Sequence, residues 1–155
     1  MAHKPRLFLD TSALFAGIWS SSGGARLLLR LGEAEIVELL ISRTVVGEIE
    51  TVFRKKAPDL LNQLTLLLHF SRVQVVIQAP VDLFYRCRQF ISPAGDAQIL
   101  ADAWHHQVDY LVTLDKTHFL RSPPPIDLIS FPIGTPGDCI EWLRKLWSGS
   151  ENWGV

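Results

Sequence analysis

The chain is short of several things, and each shortage removes a class of function. No apolar run is long enough to span a bilayer, and Met1-Ala2-His3-Lys4-Pro5 opens no signal peptide, so a protein without a membrane anchor is expected. Only two cysteines occur, Cys87 and Cys139, far apart in the chain. That usage suits reduced thiols in a cytoplasm, not a disulfide framework. Basic residues are not in excess: 15 Lys and Arg stand against 16 Asp and Glu, and a formal net charge of −1 argues against a DNA-coating protein. A nuclease stays open, because an acidic site needs only a local basic rim. Repeats, low-complexity tracts and interdomain linkers are missing. So are a Gly-x-Ser-x-Gly elbow, a Walker loop and any Cys–His zinc spacing, and His3, His69, His105, His106 and His118 form no ligand pattern.

What is present reads as one folded domain. At 155 residues, with 48% hydrophobic and 20% charged, the chain can bury a substantial core. Two apolar runs organise it: Arg6-Leu7-Phe8-Leu9-Asp10 and Tyr110-Leu111-Val112-Thr113-Leu114-Asp115. Both lack alternation, as strands covered on both faces do, and both close on a carboxylate. Further strands are expected over residues 37–41, 73–77 and 127–131, the last at an edge. Helices are expected from Ser12, over 25–31, 43–56, 59–70 and 81–90, from Ser92-Pro93 to about His106, and from a capping-box-like Thr135-Pro136-Gly137-Asp138 through Trp147. Ser20 to Gly24 reads as a loop, Pro58 as a break, and Ser122-Pro123-Pro124-Pro125 as a stiff connector. The alternation predicts an α/β fold with a mainly parallel sheet, a single domain over 1–147 and a loose tail over 148–155. In such sheets ligands bind beyond the carboxyl ends of the strands, where the two acids converge.

Each acid also has an ordinary explanation. Asp10 can serve simply as a helix N-cap, and Asp115 as a turn residue. Asp96 shares a helical face with Ile99, Leu100, Ala103 and Trp104, and an inward carboxylate needs a partner or a metal. The helix dipole accounts for its place in the first turn but not for that face. Asp102 lies opposite this face, so it is expected in solvent and Asp102→Asn is expected to be tolerated; His106, four residues on, is an available partner. On the 43–56 helix, Glu50 has Arg54 at i+4 as a surface partner, whereas Glu48 has no such explanation and is the better candidate ligand. Ser22-Gly23-Gly24 reads as a bare helix entry before a phosphate cradle. Lys55-Lys56 and Arg86-x-Arg88 read as solvated faces first and nucleic-acid contacts second.

Two other folds put an acid after the first strand. A HAD-like phosphatase needs a second acid two residues on, where Ser12 stands. A receiver-type domain needs paired acids there and a phosphoacceptor after a middle strand, where Gln78-Ala79-Pro80 offers none.

Taken together, four segments give the chain a resemblance to the PIN domain along nearly its whole length. They are Leu9-Asp10-Thr11-Ser12, Ser42 followed six residues later by Glu48, Gly95-Asp96-Ala97-x-Ile99-x-Ala101, and Val112-Thr113-x-Asp115, with Thr135-Pro136-x-Asp138 and its helix as a family-like ending. The similarity is greatest to the toxin-type, VapC-like group of toxin–antitoxin pairs. The resemblance implies a three-layer α/β/α sandwich, metal-dependent endoribonuclease activity on RNA, a cytoplasmic location, frequent homodimers and an antitoxin partner. It puts Asp10, Glu48, Asp96 and Asp115 in the four acidic places, as catalytic residues and metal ligands, with Ser12 and Thr113 as the hydroxyls that orient them. Oxygen-only ligands imply Mg²⁺ or Mn²⁺ over zinc. A PIN-like scaffold that binds RNA or protein without cutting is the alternative.

Overall fold

The two runs that close on carboxylates lie side by side at the centre of one sheet. The computed structural model describes residues 3–91, 93–115, 119 and 129–151. Strand β1 (Arg6–Leu9) pairs in parallel with β4 (Tyr110–Val112), with Leu9 opposite Val112. On its other side β1 pairs with β2 (Glu38–Ser42), which carries β3 (Gln74–Val76) at one edge; β5 (Ile133–Gly134) completes the opposite edge beside β4. The order is β3-β2-β1-β4-β5 and every pairing is parallel. Leu7, Phe8, Leu39, Leu40, Leu111 and Val112 have no exposed surface, as uninterrupted apolar runs in a sheet covered by helices require. Edge strand β3 instead leaves Val75 exposed.

Among the described residues seven helices flank the sheet: α1 (Thr11–Trp19), α2 (Gly24–Glu33), α3 (Arg43–Lys56), α4 (Leu61–Phe70), α5 (Val81–Arg88), α6 (Ala94–His105) and α7 (Pro136–Glu151). Helix α2 packs on α1 and α7, while α3 packs on α1 and α6, and α5 on α6. Local chemistry fixes their starts. Ser42 ends β2 and caps α3, its Oγ accepting from the Val45 amide at 3.2 Å. Gly23 opens α2 at φ 97°, a conformation other residues rarely adopt. Thr135 and Asp138 form a reciprocal capping box at α7, with bonds of 3.0 and 3.1 Å. Pro58 starts a single 3₁₀ turn, Pro58–Leu60, that separates α3 from α4.

The structure departs from the sequence expectations in three places. The last strand is Ile133–Gly134, not 127–131: Ile129 to Phe131 are outside it, and 127–128 lie outside the described residues, as do Ser122 to Pro125. Helix α7 runs to Glu151, so the stretch from Ser148 begins helical; residues 152–155 lie outside the described residues. Most consequentially, Asp102 is fully buried. The helical wheel compares a helix only with itself, and α6 is covered on both sides because α5 packs on it as well. The Asp102 carboxylate accepts from the Ala79 amide at 2.6 Å and from Gln98 Nε2 at 2.8 Å. His106 turns elsewhere, to the Ile77 carbonyl at 2.8 Å. Cys87 and Cys139 are both free and buried, and burial lifts the Cys87 thiol to about 11.

Candidate active site

Where β1 and β4 end together, the next residues are Asp10 and Thr113. Asp10 is 5% exposed and caps α1. Its Oδ1 accepts from the Ala13 amide at 2.9 Å and from Ser12 Oγ at 2.7 Å, and its Oδ2 accepts from the Thr113 hydroxyl. The helix-cap role and a place at the strand-end crevice therefore coexist in one side chain. Ser12 Oγ accepts in turn from the Leu114 amide at 3.0 Å, and Thr113 Oγ1 from the Asp115 amide at 3.0 Å. Ser12 and Thr113 thus tie the end of β1 to the loop that carries Asp115.

Two helices bring the other acids over this point. Glu48, one turn into α3, accepts from the Thr11 hydroxyl at the start of α1. It also stands beside the entry of α6, since a Cβ added at Gly95 would come within 3.4 Å of its Oε1. Glu50 lies on the exposed side of α3, 4.0 Å from Arg54. Asp96 lies in the first turn of α6, close enough to Asp10 for its charge to disfavour ionisation there. A cleft of about 320 Å³ is lined by Asp10, Glu48, Asp96 and Asp115, together with Ser12. Thr113 does not line it and meets it through Asp10, Ser12 and the Asp115 amide.

Electrostatics mark Asp10 as the pivot. Burial lifts its carboxyl above the ordinary value of 3.8, the bonds from Thr113, Ala13 and Ser12 oppose that, and Asp96 adds to it. A cation between Asp10 and Asp96 would relieve both the burial and the repulsion. The lining acids and hydroxyls offer oxygen donors alone, the set that suits Mg²⁺ or Mn²⁺. Among the described residues no three acidic, histidine or cysteine side chains already converge on one point. The four acids therefore line one cleft without forming a ready-made shell of three ligands.

The structure adds lining residues that the sequence did not assign to the site. Thr11 and Phe15 of α1 and Val52 and Lys56 of α3 border the same cleft. Their signal was present as helical spacing: 11 and 15 on one helix, 48, 52 and 56 on the other, each four apart. Lys56 belongs to the Lys55-Lys56 pair, whose reading in sequence is a solvated face first and a nucleic-acid contact second.

Residues 6–117 match the PIN domain family. No curated protein sequence matches the chain. Among solved structures, VapBC2 from Rickettsia felis, crystallised on a DNA fragment from its promoter, is similar at a TM-score of 0.64 and 18% identity, over 83% of this chain and 98% of that one. PAE2754 from Pyrobaculum aerophilum gives 0.64 and 17%, over 90% of each chain. FitAcB from Neisseria gonorrhoeae gives 0.58 and 17%, over 84% and 97%.

Proposed function

The chain belongs to the PIN-domain family, a family of nucleases, and from that premise we propose that it is a Mg²⁺- or Mn²⁺-dependent endoribonuclease, the toxin of a toxin–antitoxin pair. One observation carries the reading: Asp10, Glu48, Asp96 and Asp115, from four separate segments, line a single cleft beyond the carboxyl ends of β1 and β4. Among the described residues that line the cleft the titratable groups are four carboxylates and Lys56, an arrangement suited to holding cations rather than to a nucleophile–base pair of the serine or cysteine kind. The joint task left to the acids is to hold hard cations against a phosphate.

The roles follow from position. Asp10 and Asp96 act as direct ligands, and Glu48 and Asp115 act through water. Ser12 and Thr113 fix both oxygens of Asp10 so that its carboxylate does not swing. Thr11 holds one oxygen of Glu48, its Oε2. Bound there, a divalent ion supplies the charge that activates water for in-line attack and stabilises the leaving oxygen.

An antitoxin fits a second feature. A groove of about 270 Å³ between α4 and the α1–α2 pair is lined by Ile18, Arg26, Leu60, Leu66, Leu67 and Phe70, with Leu66 54% and Phe70 57% exposed. The VapBC2 and FitAcB structures are complexes of this kind in their own organisms. We place the partner on this groove, a second copy of the chain being the other occupant, and the protein in the cytoplasm. Among the described residues no helix is long and apolar enough to cross a membrane.

The test is cleavage of structured and single-stranded RNA, with and without EDTA, by the parent and by Asp10→Asn. Loss of cleavage in both EDTA and the folded variant is expected. Cleavage that persists in either would refute the mechanism, and no cleavage under any metal would leave the non-catalytic scaffold.

A further inference from the structure

Beside the carboxylate cleft the fold builds a short ladder of rings. Phe53, fully buried in α3, lies 5.5 Å from Phe15, tilted by 53°. Phe15 borders the cleft and stacks on Trp19 with ring centroids 5.5 Å apart and planes only 14° from parallel. Trp19 is 55% exposed, so the ladder begins in the core and ends open to water. Across from it, Lys56 Nζ stands 5.7 Å from the Phe15 ring centroid.

The elements that place these groups also place the acids. On α1 the residues Thr11, Phe15 and Trp19 follow one another at single-turn spacing; on α3, Glu48, Val52 and Lys56 do the same. The Thr11–Glu48 bond joins the two rows at the acidic end and the Phe15–Lys56 contact joins them further out. A track therefore leads from the carboxylates to a cation and a flat, half-open aromatic surface. Its length along α1 is about 12 Å, from the rise of eight helical residues.

An i,i+4 aromatic pair can stabilise a helix for its own sake. That account does not explain why the larger ring faces water, stacked on a ring that carries a cation, on the row that starts at Thr11. Stacked aromatics with a nearby cation at the end of a phosphate-handling cleft are what an unpaired nucleobase and its backbone need. A base inside a duplex is stacked and paired already and cannot lie on Trp19.

We propose that Phe15, Trp19 and Lys56 form a subsite for one unpaired base of single-stranded RNA and its adjoining phosphate, close to the phosphodiester that is cut. This rests on the nuclease reading above and names the residues of this chain that would meet the base and phosphate beside the cut.

The experiment measures binding of a labelled single-stranded RNA and of the same sequence as a duplex, in EDTA so that turnover does not intervene. The proteins are the parent, Trp19→Phe, Trp19→Leu, Trp19→Ala and Lys56→Gln, each checked by thermal melt. Trp19→Ala and Trp19→Leu should lose about tenfold in affinity for the single strand, and Trp19→Phe should restore most of it. Lys56→Gln should lower the slope of log affinity against log salt by about 0.7, whereas Trp19→Ala leaves that slope unchanged. Duplex binding should be weaker throughout and indifferent to Trp19. Equal single-strand affinity across the Trp19 series overturns the proposal and leaves Trp19 as an apolar contact for a protein. In a parallel Mn²⁺ arm, parent cleavage with KM unchanged by Trp19→Ala sinks the stacking subsite alone. A parent that binds no RNA and cuts none sinks it together with the nuclease reading.

Discussion

Asp10 and Asp102 are both buried carboxylates, and they differ in how their oxygens are met. Both Asp10 oxygens accept hydrogen bonds, whereas on Asp102 only Oδ1 does and Oδ2 has no donor within bonding distance among the described residues. Burial lifts the Asp102 carboxyl above 3.8; the Ala79 amide, Gln98, the nearby Ser42 hydroxyl and His106 only ease its charge. Because the folded value exceeds the unfolded one, Asp102 supports the fold fully below pH 3.8, and that support drains away as pH rises through the lifted value. Asp102→Asn removes the titration, so its melting temperature should gain on the parent's as pH rises across that interval; a pH-independent gap would show that the carboxyl is not raised. Asp102→Ala is a different change. It strands the Ala79 amide and the Gln98 side chain and should cost roughly 1–3 kcal/mol in a denaturant melt. Asp102 was misread from the sequence for a definite reason. Its wheel position reports α6 alone, while its environment comes from α5 and the Ala79 loop, which periodicity on α6 does not encode.

Helices α3 and α6 were legible because each carries an amphipathic period long enough to set a phase. On α6 that phase turned Asp96 inward, while on α3 Glu48 was separated from Glu50 only by the Arg54 partner of Glu50; both Glu48 and Asp96 line the cleft. Strand β5 was not legible. Two residues have no period, and its position follows from pairing with Leu111 and Val112. Trp19 was passed over, and Lys56 was read as a solvated face before a nucleic-acid contact, because a cation and an aromatic at the ends of two helices carry no sign, in sequence, that they share a track. Helix α4 shows the opposite case. Leu66 and Phe70 fall off its main apolar row, which predicts uncovered apolar surface, and both are more than half exposed. Replacing both with serine should leave the fold and the acidic cleft intact, since neither side chain is buried. Association with a second copy or an antitoxin should weaken by tenfold or more in light scattering or co-purification. Unchanged association would move the docking surface away from α4.

Taken whole, the molecule is almost neutral, 15 basic residues against 16 acidic, so no long-range field draws metal or RNA to it. The charge that matters is local: acids gathered at the end of a parallel sheet, with Asp10 desolvated and repelled by Asp96. A fold that gathers like charges is strained until a cation joins them, so ion binding and stability are linked. An ion that binds only the folded chain stabilises it by about 2.7 kcal/mol at a hundredfold excess over Kd. For a domain of this size that is roughly 5–11 °C in melting temperature. Mn²⁺ and Mg²⁺ should therefore raise the parent's melt by several degrees, with EDTA reversing it. Asp10→Asn keeps the cap acceptor on α1 and removes one charge. Without metal it should melt at or above the parent, and with metal it should gain little. Asp102→Asn, whose site lies among Ala79, Gln98 and Ser42, should keep the parent's full metal-induced gain. Equal gains in the parent and Asp10→Asn would place the ion elsewhere. No gain in either at millimolar metal would mean that the four acids do not act as one site.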